Sequence, residues 1–220
     1  MKKRKFLIFG SNGLLGSRIV NYLNQKNFSY MTSARSNSNF DLDVTNLKLV
    51  KRIFIDNKFD IVINCTAIIN IDYCEKNYSY AKKVNSNFVK ELAKLSKIYH
   101  FKLVQISSDH VYKGNKGSLN KETDRTFAVN NYAKSKILAE EHCKNLQNYL
   151  VIRTNFTGKK NNSFLDKLIK SINNSKKVLL FDDMFASTMD VKTCAKIVVK
   201  LAIIKSKGIY NLGTKDMISK

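Results

Sequence analysis

The chain alternates short apolar runs with longer segments in which apolar residues recur every three or four positions. The short runs are rich in β-branched and aromatic residues and predict strands at Lys5–Phe9, Phe28–Ser33, Asp60–Cys65, Lys102–Ile106, Tyr149–Arg153, Lys177–Phe181 and Gly208–Asn211. The longer segments predict helices at Leu14–Gln25, Asn46–Asn57, Ser79–Tyr99, Asn131–Asn145, Ser163–Asn173 and Val191–Lys205. Strands that are apolar throughout and alternate with helices are typical of a parallel sheet buried on both faces. The pattern therefore predicts an α/β fold with a doubly wound, Rossmann-like parallel sheet.

The composition limits the class of protein but does not indicate which reaction, if any, it catalyses. The 220 residues suffice for one core with a small appended lobe, and no apolar run approaches the roughly 20 residues that cross a bilayer. The net charge of +22 is spread over lysines that alternate with Asn and Ser, which favours a solvated surface over a nucleic-acid or membrane site. Four widely spaced cysteines predict reduced thiols in the cytoplasm and no metal site.

A glycine-rich loop follows the first predicted strand and opens the first predicted helix. Its three glycines permit a tight turn, the approach of backbone to a pyrophosphate, and close packing of helix on strand. We expect this loop to bind a dinucleotide through Gly10, Ser11, Asn12, Gly13, Leu14, Leu15 and Gly16. A structural turn without a ligand is the alternative.

The segment after the second predicted strand bears on the choice of dinucleotide. Arg35 stands where NAD-binding proteins place an acidic residue, and a guanidinium there can hold the 2′-phosphate of NADP. NADP is therefore the preferred cofactor, with NAD as the alternative. Asp43 and Val44 precede the second helix, where the carboxylate either caps that helix or borders an adenine.

Candidate catalytic groups occur on the fourth predicted helix and after the fourth predicted strand. Tyr132 and Lys136 are four residues apart and so project from one face of the helix. We expect the ammonium to lower the pKa of the phenol, which could then exchange a proton with a substrate oxygen. Ser107 and Ser108 lie at the carboxyl edge of the sheet, where a hydroxyl can bind the same oxygen.

The combination of these motifs resembles the dTDP-4-dehydrorhamnose reductases, a family of extended short-chain dehydrogenase/reductases. The resemblance spans nearly the whole chain. It is carried by residues 10–17 (GSNGLLGS), 60–67 (DIVINCTA), 84–85 (VN), 107–114 (SSDHVYKG), 132–137 (YAKSKI) and 153–154 (RT).

The resemblance implies roles for individual residues. It makes Ser108 the catalytic hydroxyl, Tyr132 the general acid and Lys136 the residue that also holds the nicotinamide ribose. It adds to the cofactor site a turn and one helix residue, namely Cys65, Thr66, Ala67 and Asn85. It assigns the substrate side to Ser108, Asp109, His110 and Phe156. The implied reaction reduces the 4-keto group of a nucleotide-diphosphate sugar with NADPH or NADH, and the resemblance permits a homodimer.

Several residues depart from the family pattern. His110 replaces a usual Tyr, Phe156 a usual Trp, and Ala128 a usual proline, and residues 186–188 (AST) also fall where a proline is usual. Residues 208–213 resemble the family's late strand, after which further helices of a substrate lobe are expected. We therefore expect a dinucleotide-binding domain over residues 1–155, and over 156–220 a partial substrate lobe interleaved with the last strands and helices of the sheet.

Two other functions are compatible with the same motifs. A sugar-nucleotide epimerase or dehydratase uses the same Tyr and Lys, although the Ser-Ser-Asp at 107–109 lacks the Thr-Asp-Glu of the dehydratases. A non-catalytic NADP-binding regulatory subunit, like a known regulator of methionine adenosyltransferase, keeps the fold. The intact Ser108, Tyr132 and Lys136 favour an enzyme.

Overall fold

The computed structural model describes residues 4–114, 119–160, 163–178, 180 and 185–219. The strands of its main sheet are β1 Lys5–Phe9, β2 Ser29–Ala34, β3 Phe40–Asp41, β4 Ile61–Asn64, β5 Lys102–Ile106, β6 Tyr149–Thr157, β8 Thr188–Asp190 and β9 Gly208–Leu212. Their order is β3-β2-β1-β4-β5-β6-β8, β9 also pairs with β6, and every pairing is parallel. A separate antiparallel pair joins β7 Phe185–Ala186 to β10 Ile218–Ser219.

Helices cover both faces of this sheet. They are α1 Leu14–Gln25, α2 Leu47–Asp56, α3 Ile71–Lys76, α4 Tyr78–Lys82, α5 Phe88–Tyr99, α6 Asn131–Lys144, α7 Phe164–Asn173 and α8 Val191–Ile203. A π-helical turn at Lys83–Asn87 joins α4 to α5, and a 3-10 turn at Asp109–Val111 follows β5. No helix in the described ranges is long and apolar enough to cross a membrane.

The core consists of two clusters, one on each face of the sheet. Leu7 and Phe9 of β1 belong to one cluster, whereas Phe6 and Ile8 belong to the other. Because successive side chains of a strand point to opposite faces, a strand with no polar face has to be covered twice. The predicted doubly wound α/β fold is therefore confirmed.

The order of strands creates a crevice at one edge of the sheet. β1 lies between β2 and β4, so the chain moves outward in one direction through β2 and β3 and in the other through β4, β5 and β6. Phe9 pairs with Asn64, and Asn64 with Gln105, so these three strands end level with one another. Ligands of such sheets bind at this reversal point, beyond the carboxyl ends of the strands.

Two predicted elements differ from the structure, and one helix was not predicted. Lys177, Val178 and Leu180 are exposed and form no strand, so the strand predicted at Lys177–Phe181 is wrong for them; its other residues lie outside the described ranges. The single helix predicted at Ser79–Tyr99 is interrupted by the π-helical turn, and α3 was not predicted. The predicted boundary between the dinucleotide-binding domain and the partial substrate lobe, after residue 155, falls inside β6. This division into domains stays a prediction.

Candidate active site

Three segments predicted to line the site meet at the carboxyl edge of neighbouring strands. Gly10 follows β1, Cys65 follows β4 and Ser107 follows β5, and β4 lies between the other two strands. A Cβ atom added to Gly10 would lie 2.9 Å from the backbone nitrogen of Thr66, so the glycine loop and the turn after β4 are in contact. The parallel topology thus brings together residues that are far apart in sequence.

The glycine loop has the geometry of a phosphate-binding turn. Gly10 has a φ of +74°, a conformation that L residues rarely adopt, and its amide donates to Ser33 of β2. A Cβ on Gly16 would lie 2.2 Å from the carbonyl oxygen of Gly10, so only glycine lets α1 pack this closely. Gly13 is the N-cap of α1 but offers no side chain to the helix amides. The amides at this end are therefore left to an anion.

An unpaired hydroxyl in the adjoining turn also fits a ligand. The Oγ1 atom of Thr66 is buried and has no hydrogen-bond partner among the described residues. Buried hydroxyls are nearly always paired, so this atom needs a partner that the described residues do not supply. Burial raises the pKa of neighbouring Cys65 to about 12, which keeps its thiol neutral and unreactive. The turn therefore offers a cofactor one unpaired hydroxyl, from Thr66, and one neutral, unreactive thiol, from Cys65.

Not every residue of the glycine-loop prediction faces this crevice. Leu15 is 3% exposed and packs with Ile19 and Leu23 in the core, so its part is structural. Leu14 is half-buried against the same cluster. The amide of Asn12 instead donates to the Ser36 carbonyl at 2.6 Å and ties the loop to the segment after β2.

The predicted adenosine side of the site is open. Arg35 is exposed beyond β2 and lies near enough to Asp43 for its charge to act on that carboxyl group. Asp43 accepts from the backbone nitrogen of Thr45 at 2.8 Å and from its hydroxyl at 2.7 Å, and these bonds lower its pKa. The cap of α2 is Asn46, so the capping interpretation of Asp43 is wrong. Val44 is a core residue.

A polar cavity of about 530 Å³ lies beside the glycine loop, between α1 and the β2 end of the sheet. Its walls carry hydroxyl and amide groups and no charged side chain: Ser11, Asn12, Ser17, Val20, Asn21, Tyr30, Thr32, Asn37 and Asn39. It includes two of the predicted cofactor residues, Ser11 and Asn12. It does not reach the catalytic candidates, which lie on the other side of β1 and β4.

The three catalytic candidates converge as predicted. Tyr132 is 8% exposed, and the Ser108 hydroxyl lies close enough to oppose the rise that burial causes in the pKa of the phenol. Lys136, one helical turn further along α6, is 2% exposed and donates from Nζ to the Ile106 carbonyl at 2.6 Å. α6 is thereby fixed to the last residue of β5, directly before the serines. The phenol and the Ser108 hydroxyl are close enough to act on one substrate oxygen.

The expected effect of Lys136 on the phenol is not what the structure shows. Burial raises the pKa of Tyr132 to about 12; the Ser108 hydroxyl opposes this rise, and the nearby Asp109 carboxylate adds to it. The Lys136 ammonium is directed to Ile106 instead, and burial lowers its own pKa to about 8, against the opposing charge of Glu140. Desolvation therefore sets the pKa of the phenol, and the charge of Lys136 is not among the effects that shift it. The phenol is kept in the neutral form, which is the form that can donate a proton.

Three of the four predicted substrate residues, Ser108, Asp109 and His110, lie beside this phenol. The ring of His110 meets that of Tyr132 edge-on, with centroids 5.8 Å apart. Asp109 accepts from the Ser108 hydroxyl at 3.1 Å and from the Asn155 amide at 2.9 Å. Phe156, next along β6, is half-buried. Asn155 was missed from the sequence, although its position at the carboxyl end of a parallel strand is the signal that could have found it.

Asn85 connects two parts of the site through side-chain hydrogen bonds. Its Oδ1 accepts from the backbone nitrogen of Ile68 at 2.7 Å, and its Nδ2 donates to the Ile68 carbonyl at 3.0 Å and to the Ser135 hydroxyl at 2.9 Å. The amide thus joins the segment after β4 to α6, within a π-helical turn. These contacts make it a positioning residue for the cofactor-lining turn.

A buried charged network, also missed, supports the same helix. Arg153 of β6 donates to Glu140 from Nη2 at 2.7 Å and from Nε at 3.1 and 3.2 Å. Ser107 donates to the same carboxylate at 2.5 Å, and Arg153 reaches the Tyr112 hydroxyl at 2.6 Å. The signal was the position of Glu140, four residues after Lys136 and therefore on its face of the helix. The network joins α6, β6 and the serine segment.

Comparison with known proteins agrees with this architecture. The model of the family described as the RmlD substrate binding domain matches residues 4–220. A solved dTDP-4-dehydrorhamnose reductase from Clostridium acetobutylicum is 30% identical, with a TM-score of 0.90 over 98% of this chain and 76% of that one. A dTDP-4-dehydrorhamnose reductase from Bacillus anthracis, solved in complex with NADP, is 26% identical, with a TM-score of 0.91 over 100% of this chain and 78% of that one.

Curated relatives are longer than this chain. A probable low-salt glycan biosynthesis reductase of Haloferax volcanii is 28% identical over 68% of this chain, which spans 52% of that protein. The dTDP-4-dehydrorhamnose reductase of Aggregatibacter actinomycetemcomitans is 28% identical over 98% of this chain, which spans 75% of that protein. The family match, the shared fold and the converging serine, tyrosine and lysine lead to one conclusion: this chain belongs to the RmlD family of dTDP-4-dehydrorhamnose reductases.

Proposed function

We propose that the chain reduces the 4-keto group of a nucleotide-diphosphate sugar, such as dTDP-4-dehydrorhamnose, with NADPH as the preferred cofactor and NADH as the alternative. The observation that carries this proposal is the convergence of Tyr132, Ser108 and Lys136 at the sheet edge that also carries the glycine loop. Relatives named as reductases, and the B. anthracis relative in complex with NADP, support it.

The residues divide the binding of the cofactor among them. The amides at the start of α1 would hold its pyrophosphate, and Arg35 would hold its 2′-phosphate. Thr66, together with the adjoining Cys65 and Ala67, would contact the side of the cofactor that faces the protein. When bound, the nicotinamide supplies the hydride that reaches the carbonyl carbon.

Tyr132 is the group that delivers the proton. Its neutral phenol donates to the carbonyl oxygen while Ser108 donates a hydrogen bond to the same atom, so the negative charge that develops there is neutralised. The phenol is left as a phenolate; Lys136, one helical turn away, would have to turn its ammonium from the Ile106 carbonyl to stabilise it. The nearly complete burial of all three groups excludes water and strengthens these interactions.

The proposal is tested first by binding and then by turnover. NADPH and NADH are titrated by fluorescence, and oxidation of the reduced cofactor is followed with a panel of nucleotide-linked 4-keto sugars. The Tyr132→Phe variant should keep nearly the wild-type cofactor affinity and lose about 10²-fold or more in turnover, the usual scale of general-acid catalysis.

The variant Tyr99→Phe is the matched control, because it makes the same chemical change at the far end of α5, where the ring packs on Phe54. Unchanged turnover in Tyr132→Phe would refute the proposed proton donor. Cofactor binding without oxidation of any substrate in the panel would favour the non-catalytic subunit. The cytoplasmic location and the homodimer expected from the sequence remain predictions.

A further inference from the structure

A lysine from the second half of the chain lies on the glycine loop. Lys160, in the segment after β6, donates from Nζ to the carbonyl oxygen of Asn12, to that of Gly13 at 3.0 Å and to the Ser17 hydroxyl at 3.2 Å. These three residues form the start of α1. The side chain therefore places a positive charge beside the amides that are left unpaired at this helix end.

The backbone around Lys160 is fixed in this position. Ser163, the N-cap of α7, donates from its backbone nitrogen to the Lys160 carbonyl at 2.8 Å, and its hydroxyl accepts from the Lys160 nitrogen at 3.3 Å. Gly158 passes so close to α8 that an added Cβ would lie 2.3 Å from Cγ1 of Val191. Lys160 is thus held over the glycine loop by both flanking helices.

This arrangement concentrates positive charge without a counterion. The N-terminus of a helix carries a partial positive charge, so a cation there is unfavourable. Arg18, one turn into α1, donates to the Lys159 carbonyl at 3.0 Å, and its charge together with burial lowers the pKa of Lys160. Among the described residues, no carboxylate lies within 4.0 Å of Lys160 or Arg18, and the first turn of α1 contains no acidic residue.

An unpaired side-chain atom points to the same requirement. The Nε atom of Arg18 is buried and has no hydrogen-bond partner in the described part of the chain. Two cations and a helix N-terminus that repel one another are stabilised by an anion of more than one negative charge. A pyrophosphate has this charge, and the glycine loop is shaped to admit it.

We propose that Lys160 is a binding residue for the pyrophosphate of the dinucleotide, and that it couples the segment after β6 to the occupied glycine loop. The inference rests on the proposed function, since it needs a dinucleotide in this crevice. It goes further by assigning a charge contact to a residue outside the glycine motif.

The test compares two variants that lose the same charge at adjacent positions. Lys160→Gln removes the contact, whereas Lys159→Gln removes an exposed neighbour whose side chain forms no hydrogen bond with the glycine loop within the described ranges. Fluorescence titration should show that Lys160→Gln raises the Kd for NADPH and for NADH by the same factor, about threefold to tenfold. Lys159→Gln should stay within about twofold of wild type, as should the charge-conserving Lys160→Arg.

The outcomes separate this inference from the proposed function. Equal affinities in Lys160→Gln and Lys159→Gln would overturn the role of Lys160 while leaving the cofactor site intact. A loss confined to NADPH would also overturn it, because the charge would then serve the 2′-phosphate. Failure of the wild-type chain to bind either dinucleotide would refute the proposed function itself. Thermal melting of the unliganded variants should show that Lys160→Gln folds, since it removes a cation from a positive helix end; if it does not fold, Lys160→Met, which removes the same charge, is compared with Lys159→Met instead.

Discussion

Replacing Glu140 with Gln should destabilise the protein far more than the same change at the next residue. Glu140 is 1% exposed and pairs with Arg153, which is 4% exposed. Gln keeps the size and one acceptor but removes the negative charge, so the guanidinium becomes a buried cation with no described carboxylate against it. Breaking one side of a buried ion pair usually costs about 3–5 kcal/mol.

The lower end of that range applies here, because the Gln oxygen can still accept from Ser107 or from one nitrogen of Arg153. We therefore expect a loss of about 3 kcal/mol in the free energy of unfolding. At 2–4 °C per kcal/mol for a chain of this length, the melting temperature should fall by roughly 6–12 °C. Such a loss is a large share of the roughly 5–15 kcal/mol that stabilises a typical protein.

The assay is urea denaturation of wild type, Glu140→Gln, Arg153→Met and the double variant Glu140→Gln/Arg153→Met. The double variant should be more stable than the sum of the single changes predicts, because it leaves neither charge buried alone. Glu141→Gln is the control, since Glu141 pairs with Lys144 at the surface, where such pairs contribute at most about 1 kcal/mol. Equal losses in Glu140→Gln and Glu141→Gln, or strict additivity in the cycle, would refute the reasoning.

Three further predictions concern catalysis and cofactor binding. Because burial lowers the pKa of Lys136 to about 8, its ammonium is lost as the pH rises through 8; kcat/KM should fall there, and a flat pH profile up to pH 10 would contradict this. Gly16→Ala would put a Cβ 2.2 Å from the Gly10 carbonyl, so it should cost about 1–3 kcal/mol in urea unfolding and weaken NADPH binding; wild-type values for both would exclude the close contact. Arg35→Ala should weaken NADPH by about tenfold and leave NADH unchanged, and equal weakening of both in a titration would remove the case for a 2′-phosphate contact.

The parts of the fold with strong local signals were predicted to the residue. β1, α1 and β5 have the predicted bounds, because each apolar run ends at a glycine or polar residue that also ends the element. The strand predicted at Lys177–Phe181 shows the limit of this reasoning. An apolar run there is exposed at Val178 and Leu180, and local composition does not reveal whether a sheet lies beside it.

Two helical features have no signal at this level. α3 is six residues long, too short for a periodic pattern to develop. The π-helical turn adds a residue to one helical turn between α4 and α5 and so rotates the residues after it, whereas a uniform 3.6-residue period predicts one straight helix. Asn85 owes its contacts with Ile68 and Ser135 to that turn, which is why the motif located the residue but not its role.

The sequence predicted the positions of the candidate site residues better than their electrostatics. Spacing placed Tyr132 and Lys136 on one face of a helix, and the structure agrees. The direction in which Lys136 points depends on the Ile106 carbonyl, a backbone group that no side-chain pattern reports. The pKa of Tyr132 depends on the depth of burial, which follows from the packing of the whole domain. The placement of both side chains on one face of the helix could therefore be read from the sequence, but the burial that sets the pKa of the phenol could not.

The length of β6 restricts how the protein can close over a substrate. Residues Leu150–Thr154 pair with β9, and Asn155–Thr157 continue the same strand by pairing with β8. A hinge at residue 155 would bend β6 where its partner changes from β9 to β8, and it would have to break the bond from Asn155 to Asp109. Rotation of two rigid halves about that point would therefore cost a contact of the serine segment.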